Sequence, residues 1–248
     1  MSEAFPLFRL VDEDSGSLLV TAQEIRGFFV APGRRKRSDV SLVGVPRQGA
    51  PSGQRDGVEL QVSAIDGRVI GSYYIGRVDF CGVKPSAQGD AFVDLATSFY
   101  GYSCEYPHAG LLWRRWATGE PVRSAEWMLY SPDFRSSWLH VVQTAWFEPG
   151  RLATRYESTP VVTLSAQNMP DQDAFYCALG EAMNGPGGYF GANLDAVVDC
   201  LRSSRRDSTL PRRMLWKGFS MSRTLLGEEF VDSVVGLMQE FGVDVLPQ

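Results

Sequence analysis

Two aspartates, Asp195 and Asp199, stand four residues apart in the stretch GYFGANLDAVVDCL from residues 188 to 201. On a helix that spacing makes them neighbours on one face, where like charges cost a few tenths of a kcal/mol. A cationic partner would offset that cost. Taken alone, a pair of exposed aspartates is most often a solvated face, so the surrounding pattern must carry any functional reading. Other reactive side chains are sparse. Histidine occurs only at His108 and His140, and the four cysteines, Cys81, Cys104, Cys177 and Cys200, form no CxxC pair. Cys104 and His108 together with Cys81 offer three donors to a metal, but nothing supplies the paired ligand spacing of a zinc site. A Cys/His nucleophilic pair lacks a recognisable motif around either residue type. GANLD and GPGGYFG lack the lysine of a phosphate-cradling loop and do not fit the dinucleotide fingerprint. The expectation is a non-enzyme without metal or cofactor.

Composition sets the frame for these residues. The chain has 248 residues, 44% hydrophobic and 21% charged, which is globular composition and excludes disorder as the main state. Its formal charge of -5 gives no global reason to bind nucleic-acid backbones, and a charged partner should be basic. No apolar run of membrane-spanning length occurs, and the start MSEAFPLFRLVDEDSG lacks the pattern of a secretory signal. The expected setting is the cytoplasm, with thiols buried or inert rather than paired as disulfides. Two basic features run against the overall charge. Arg34-Arg35-Lys36-Arg37 reads as a solvated loop, and Trp113-Arg114-Arg115-Trp116 as an edge strand with buried tryptophans and exposed arginines.

The elements that must position Asp195 and Asp199 fall into two unlike halves, with a boundary near Glu157. Residues 1–157 form a β-rich (α+β) domain of short strand-like runs: SLLV, DVSLVGV, VELQVSAI, RVIGSYYIGRV, EWMLY and WLHVVQTAWF. Asp66-Gly67 between the third and fourth of these predicts a hairpin with a two-residue turn. Within this half, residues 90–100 read as one short helix, from an Asp cap and the spacing of Phe92, Leu95, Ala96 and Phe99. Polar turn-formers mark loops at residues 33–39 and 47–57. Residues 158–248 alternate differently. VVTLSA, MLWKGF and VDVL are strand candidates; helices are predicted over 171–183, from the cap Asn193 onward, and over 228–241, which gives the order β-α-α-β-α-β.

The segment GYFGANLDAVVDCL resembles the signature of the barstar family, intracellular inhibitors of secreted microbial guanyl-specific ribonucleases. The resemblance rests on the aromatic pair, the glycine, Asn-Leu-Asp-Ala, two further positions and Asp-Cys-Leu, and it covers about the last 90 residues. It implies an α/β barstar-like domain, a small parallel sheet flanked by helices, after a first half that resembles no characterised family. It also implies a partner, a ribonuclease with a basic active site, and a mechanism in which helix carboxylates fill the phosphate site. On this resemblance Asp199 enters the phosphate site with Asp195 beside it, Asn193 and Gly191 stand at the helix start, and Tyr189 packs against the enzyme. Val198 occupies a position that is often Trp in the family, and Glu240 is a candidate for the family's later acidic contact.

Plainer readings stand beside these. Asn193 serves as a helix cap, NGPGG at 184–188 as a linker between helices, and Cys200 as core. Residues 158–248 hold eleven acids against seven bases, so most of the excess negative charge lies there, the direction that attracts a basic ribonuclease. The preferred reading is a ribonuclease inhibitor or immunity protein whose first half adds contacts, dimerises or tethers. The alternatives are a regulatory or scaffolding protein that uses the barstar-like domain only to bind protein, and an enzyme housed in the β-rich half.

Overall fold

The structure, a computed structural model, describes residues 5–33 and 38–248. The basic run Arg34-Arg35-Lys36-Arg37 lies outside the described residues. The chain divides into two compact units, Met1–Glu120 and Pro121–Gln248.

Alternating burial builds the first unit. Its strands are β1 (Phe8–Asp12), β2 (Leu18–Ala22), β3 (Glu24–Arg26), β4 (Ser38–Pro46), β5 (Gly53–Ser63), β6 (Val69–Pro85) and β7 (Phe92–Phe99). They form one antiparallel sheet in the order β2-β1-β5-β6-β7-β4-β3. The two ends of that order are consecutive in the chain, separated only by Gln23, whose N–H donates to Val43 O at 2.9 Å. Residues 18–26 therefore run along β1 with their first half and along β4 with their second. The sheet curls closed, which leaves little unpaired edge. Leu10, Leu60, Val62, Ile75, Val78, Leu95 and Phe99 are buried in it. Helix α1 (Ala109–Ala117) adds Leu112 and Trp113, both fully buried, and the indole N–H of Trp113 donates to Tyr73 Oη at 2.8 Å.

The hairpin read at Asp66-Gly67 is present as β5 and β6, but its turn is longer than two residues. Ser63 pairs with Val69, Ala64 N–H donates to Arg68 O, and Gly67 N–H donates to Ala64 O. Gly67 has φ +85° whereas Asp66 is not left-handed, so this is a three-residue loop ending on a left-handed glycine.

Two readings of this unit are corrected. Residues 90–100 are not a helix: Phe92–Phe99 is β7, hydrogen-bonded on both edges, to β6 and β4. Val93, Leu95, Thr97 and Phe99 are buried at every second position, and a strand paired on both sides overrides the local helical spacing. Nor is Trp113-Arg114-Arg115-Trp116 an edge strand, since it lies in α1. Residues three apart share a helix face but would point to opposite faces of a strand, so the two tryptophans can both turn inward only on a helix.

The second unit opens with 3-10 turns at 126–129 and 132–134, followed by α2 (Arg135–Phe147). EWMLY and WLHVVQTAWF are therefore not strands. The buried positions Trp138, Val141, Val142 and Trp146 of α2 follow helical spacing, which a dense apolar run conceals in sequence. Next come β8 (Val161–Ser165), α3 (Gln172–Asn184), α4 (Leu194–Arg206), β9 (Arg213–Lys217), α5 (Phe219–Leu226), α6 (Glu228–Glu240) and β10 (Asp244–Pro247). The three strands form a parallel sheet in the order β10-β9-β8. Helices accompany it, so the α/β class read for this part holds. Both strands beside β9 cover it, and its Met214 and Trp216 are fully buried. Pro247, which cannot donate to a ladder, sits on the edge strand β10. The predicted element order lacks only α5, an eight-residue helix entered through Gly218 at φ +67°.

The change of sequence pattern near Glu157 and the start of the compact second unit at Pro121 do not coincide. Helix α2 packs on α3, and Arg155 is buried with 1% exposure. Its guanidinium donates to the carbonyls of Met183 (3.1 Å), Thr209 (2.7 Å) and Thr159 (2.8 Å) and to Thr159 Oγ1 (2.6 Å).

Candidate protein-binding face

Helix α4 is set by three local devices. Asn193 has extended backbone, and its Oδ1 accepts from Ala196 N–H at 2.8 Å, a side-chain N-cap. Asp195 lies in the first turn, where the helix dipole favours an acid, and Arg205 and Arg206 lie in the last, where it favours a base. Val197, Cys200, Leu201 and Ser204 form the buried stripe, and the hydroxyl of Ser204 donates to Cys200 O at 2.7 Å. Burial pushes the Cys200 thiol up to about 12, so it is an inert core group.

The opposite stripe is exposed. Asp195, Asp199 and Arg202 all face solvent, and Asp199 has a side-chain exposure of 67%. Arg202 donates to Asp199 Oδ1 at 2.8 Å, so this aspartate already holds a cationic partner. Val198 is half-buried beside the stripe.

The segment before α4 is held tightly. Asn184 ends α3 and its amide donates to Thr154 O (3.2 Å) and Tyr189 O (2.8 Å), while its Oδ1 accepts from Tyr156 N–H (2.7 Å). A Cβ on Gly180 would lie 2.3 Å from Gly188 O, so the loop crosses directly over α3. NGPGG is therefore a folded crossing between α3 and α4. Gly191 is buried at φ +97°, and a Cβ there would come within 2.6 Å of the Val197 side chain. Its role is to let the chain pass the first turn of α4.

The expected site residues thus separate. Asn193, Asp195 and Asp199 share the outward face of α4. Gly191 and Tyr189 do not: Tyr189 is only 3% exposed, with its ring centroid 5.3 Å from that of Phe147 on α2. Burial also holds its hydroxyl well above the ordinary tyrosine range. Glu240 is exposed at the C-terminal end of α6. Sequence reasoning missed Arg202 as the partner of Asp199, although the i, i+3 spacing was a legible signal. Arg155 and Asn184, which anchor the segments behind the face, carry no local sequence signal.

Among the described residues no group of three or more His, Cys, Asp or Glu could hold a metal ion. Cys81 is exposed rather than buried. Cys104 is buried, and burial pushes its thiol up to about 11, the wrong direction for a nucleophile. Among the described residues no helix is long and apolar enough to cross a membrane.

What the second unit presents is a small parallel sheet with flanking helices and one capped helix that turns carboxylates outward. Residues 159–244 match the Barstar family, described as Barstar (barnase inhibitor). The match confirms the resemblance read from GYFGANLDAVVDCL and describes an inhibitor, not an enzyme. It does not extend into the first unit. Comparison with the curated proteins gave no match.

Proposed function

We propose that residues 158–248 inhibit a guanyl-specific ribonuclease by placing Asp199, with Asp195 beside it, in the enzyme's phosphate-binding site. The partner is a secreted-type microbial ribonuclease with a basic active site, and the protein acts in the cytoplasm as an immunity protein. Residues 1–157 add contacts, dimerise or tether the inhibitor.

The observation that carries this reading is the exposure of both aspartates on one rigid face of α4, inside the segment that matches a ribonuclease-inhibitor family. A carboxylate held on a helix mimics a phosphate without offering a bond to cleave, and cationic active-site groups complement it. Asn193 supports the face as a cap, and Gly191 and Tyr189 support it from within.

The test is RNA cleavage by a small guanyl-specific ribonuclease in the presence of the wild type or Asp199→Ala. Inhibition by the wild type, weakened about 30-fold or more by the substitution, is the expected result. No inhibition across several such enzymes would overturn the reading.

A second reading, a regulatory or scaffolding protein that binds through this domain without inhibiting, draws on two observations. Asp199 is engaged by Arg202, and the position before it carries Val198 where an aromatic surface is common. Binding to a ribonuclease without loss of its activity would favour that alternative.

A further inference from the structure

Helix α4 alone is too small to hold a partner protein. Its 13 residues span about 20 Å, and the outward half of that cylinder offers roughly 300 Å², against the roughly 800 Å² that a stable complex covers on each partner. Its C-terminal half also repels a basic enzyme, since Arg202, Arg205 and Arg206 are exposed there. A partner seated on Asp195 and Asp199 therefore has to extend sideways from the helix.

The chain between α2 and β8 runs along one flank of α4. The Thr154 hydroxyl donates to Ser204 Oγ (3.3 Å) and Asp207 Oδ2 (3.2 Å), and Arg155 N–H donates to Ser204 Oγ (2.8 Å). Nearer the start of the helix, Tyr189 fills the space between. Its ring meets Phe147 of α2, and its hydroxyl is held high by burial first and then by Cys200 and Asp199 of α4. Residues 147–156 thus border the helix from Asp199 to Asp207.

The surface of this flank is apolar. Phe147, Leu152 and Tyr156 are 38%, 56% and 54% exposed. Scattered apolar residues on a surface need no explanation, but these three are joined. Leu152 N–H donates to Tyr156 Oη (3.0 Å), and Leu152 O accepts from the indole of Trp146 (3.0 Å), the neighbour of Phe147 in α2. The Tyr156 ring centroid lies 5.5 Å from that of Trp146. Tyr156 N–H also donates to Asn184 Oδ1, and the Asn184 amide donates to Tyr189 O, so Tyr156 and Phe147 brace the same loop. Aromatic side chains held in this way are the anchors that protein interfaces favour. All three precede residues 159–244, the stretch that matches the inhibitor family.

We propose that Phe147, Leu152 and Tyr156 form an apolar shelf of the binding surface, on which the ribonuclease held at Asp195 and Asp199 also rests. This rests on the ribonuclease reading and adds the kind of enzyme that fits, one whose cationic site is bordered by an apolar rim. Arg151, whose guanidinium stacks over Trp146 at 4.7 Å, places a positive charge on the shelf and disfavours a basic rim there.

The test measures inhibition of a small guanyl-specific ribonuclease by the full chain. Leu152→Ala and Phe147→Ala should each weaken inhibition about fivefold or more. Leu225→Ala, which trims a similarly exposed leucine on α5, should leave it unchanged. Thermal unfolding reports whether Phe147→Ala still folds, and Leu152→Ala, at the most exposed of the three positions, carries the test if it does not. Ionic strength separates the shelf from the carboxylates: Asp199→Ala should flatten the fall of inhibition with salt, whereas Leu152→Ala should keep the wild-type slope. Wild-type inhibition that both shelf substitutions leave intact, or that Leu225→Ala weakens equally, would overturn the proposal and leave the ribonuclease reading standing. No inhibition by the wild type would overturn that reading and the proposal with it.

Discussion

Asp199 and Arg202 set the first expectation at the scale of single residues. Their ion pair is exposed at both ends, 67% and 68%, and pairs of this kind contribute about 0–1 kcal/mol. On the proposed function, a ribonuclease cation competes with Arg202 for this carboxylate. Arg202→Ala should therefore tighten ribonuclease inhibition about two- to fivefold. Arg205→Ala, which removes the same charge from an exposed site on the same helix but breaks no contact with Asp199, should change it less. Equal effects of the two substitutions, in a titration of inhibition at fixed ionic strength, would show that only net charge matters. Gly191 offers a structural counterpart. Both its left-handed backbone and the 2.6 Å approach to Val197 forbid a side chain. Gly191→Ala should cost about 2 kcal/mol or more in a denaturant melt.

Helix α2 and the segment that follows it govern behaviour at the scale of elements. His140 lies in α2, and burial pushes its imidazole down to about 4, below its ordinary value. The folded state therefore resists a proton that the unfolded chain accepts below pH 6.5. This contribution leaves stability intact above about pH 6.5 and removes it as the pH falls from there toward 4, by up to about 1.4 kcal/mol per pH unit. His140→Gln should flatten that decline relative to wild type in urea melts between pH 7.5 and 4.5. A parallel decline in both proteins would contradict it. Arg155 acts on the elements around it. Its guanidinium satisfies carbonyls of Met183, Thr159 and Thr209, so it ties the segment before β8 to the end of α3 and to the loop before β9. Arg155→Met would strand these buried acceptors and should destabilise the second unit by about 3 kcal/mol, read as a shift of its unfolding midpoint.

Two compact units, taken at the scale of the whole molecule, give an expectation about fragments. A fragment of residues 121–248 retains α2, Phe147 over Tyr189, and Arg155, whereas residues 158–248 lose all three. The longer fragment should melt cooperatively, and the shorter should be several degrees less stable or unfolded; equal melting temperatures would mean that 121–157 adds nothing to the domain. How much of this was legible in sequence follows from the range of the forces involved. The cap Asn193, the strands β8, β9 and β10, and the carboxylates on α4 were readable, because capping and helical spacing act over three or four residues. Residues 92–99 were misread because pairing on both edges of β7 outweighs their own helical spacing, and 138–147 because a dense apolar run carries no clear period. By itself the sequence determined the acidic α4 face and the α/β class of the segment bearing it. Only the tertiary structure decided that Tyr189 turns inward, that Arg155 clamps the second unit, and that Gln23 closes the sheet. Each of these depends on groups distant in the chain brought together by burial, and no local pattern encodes them.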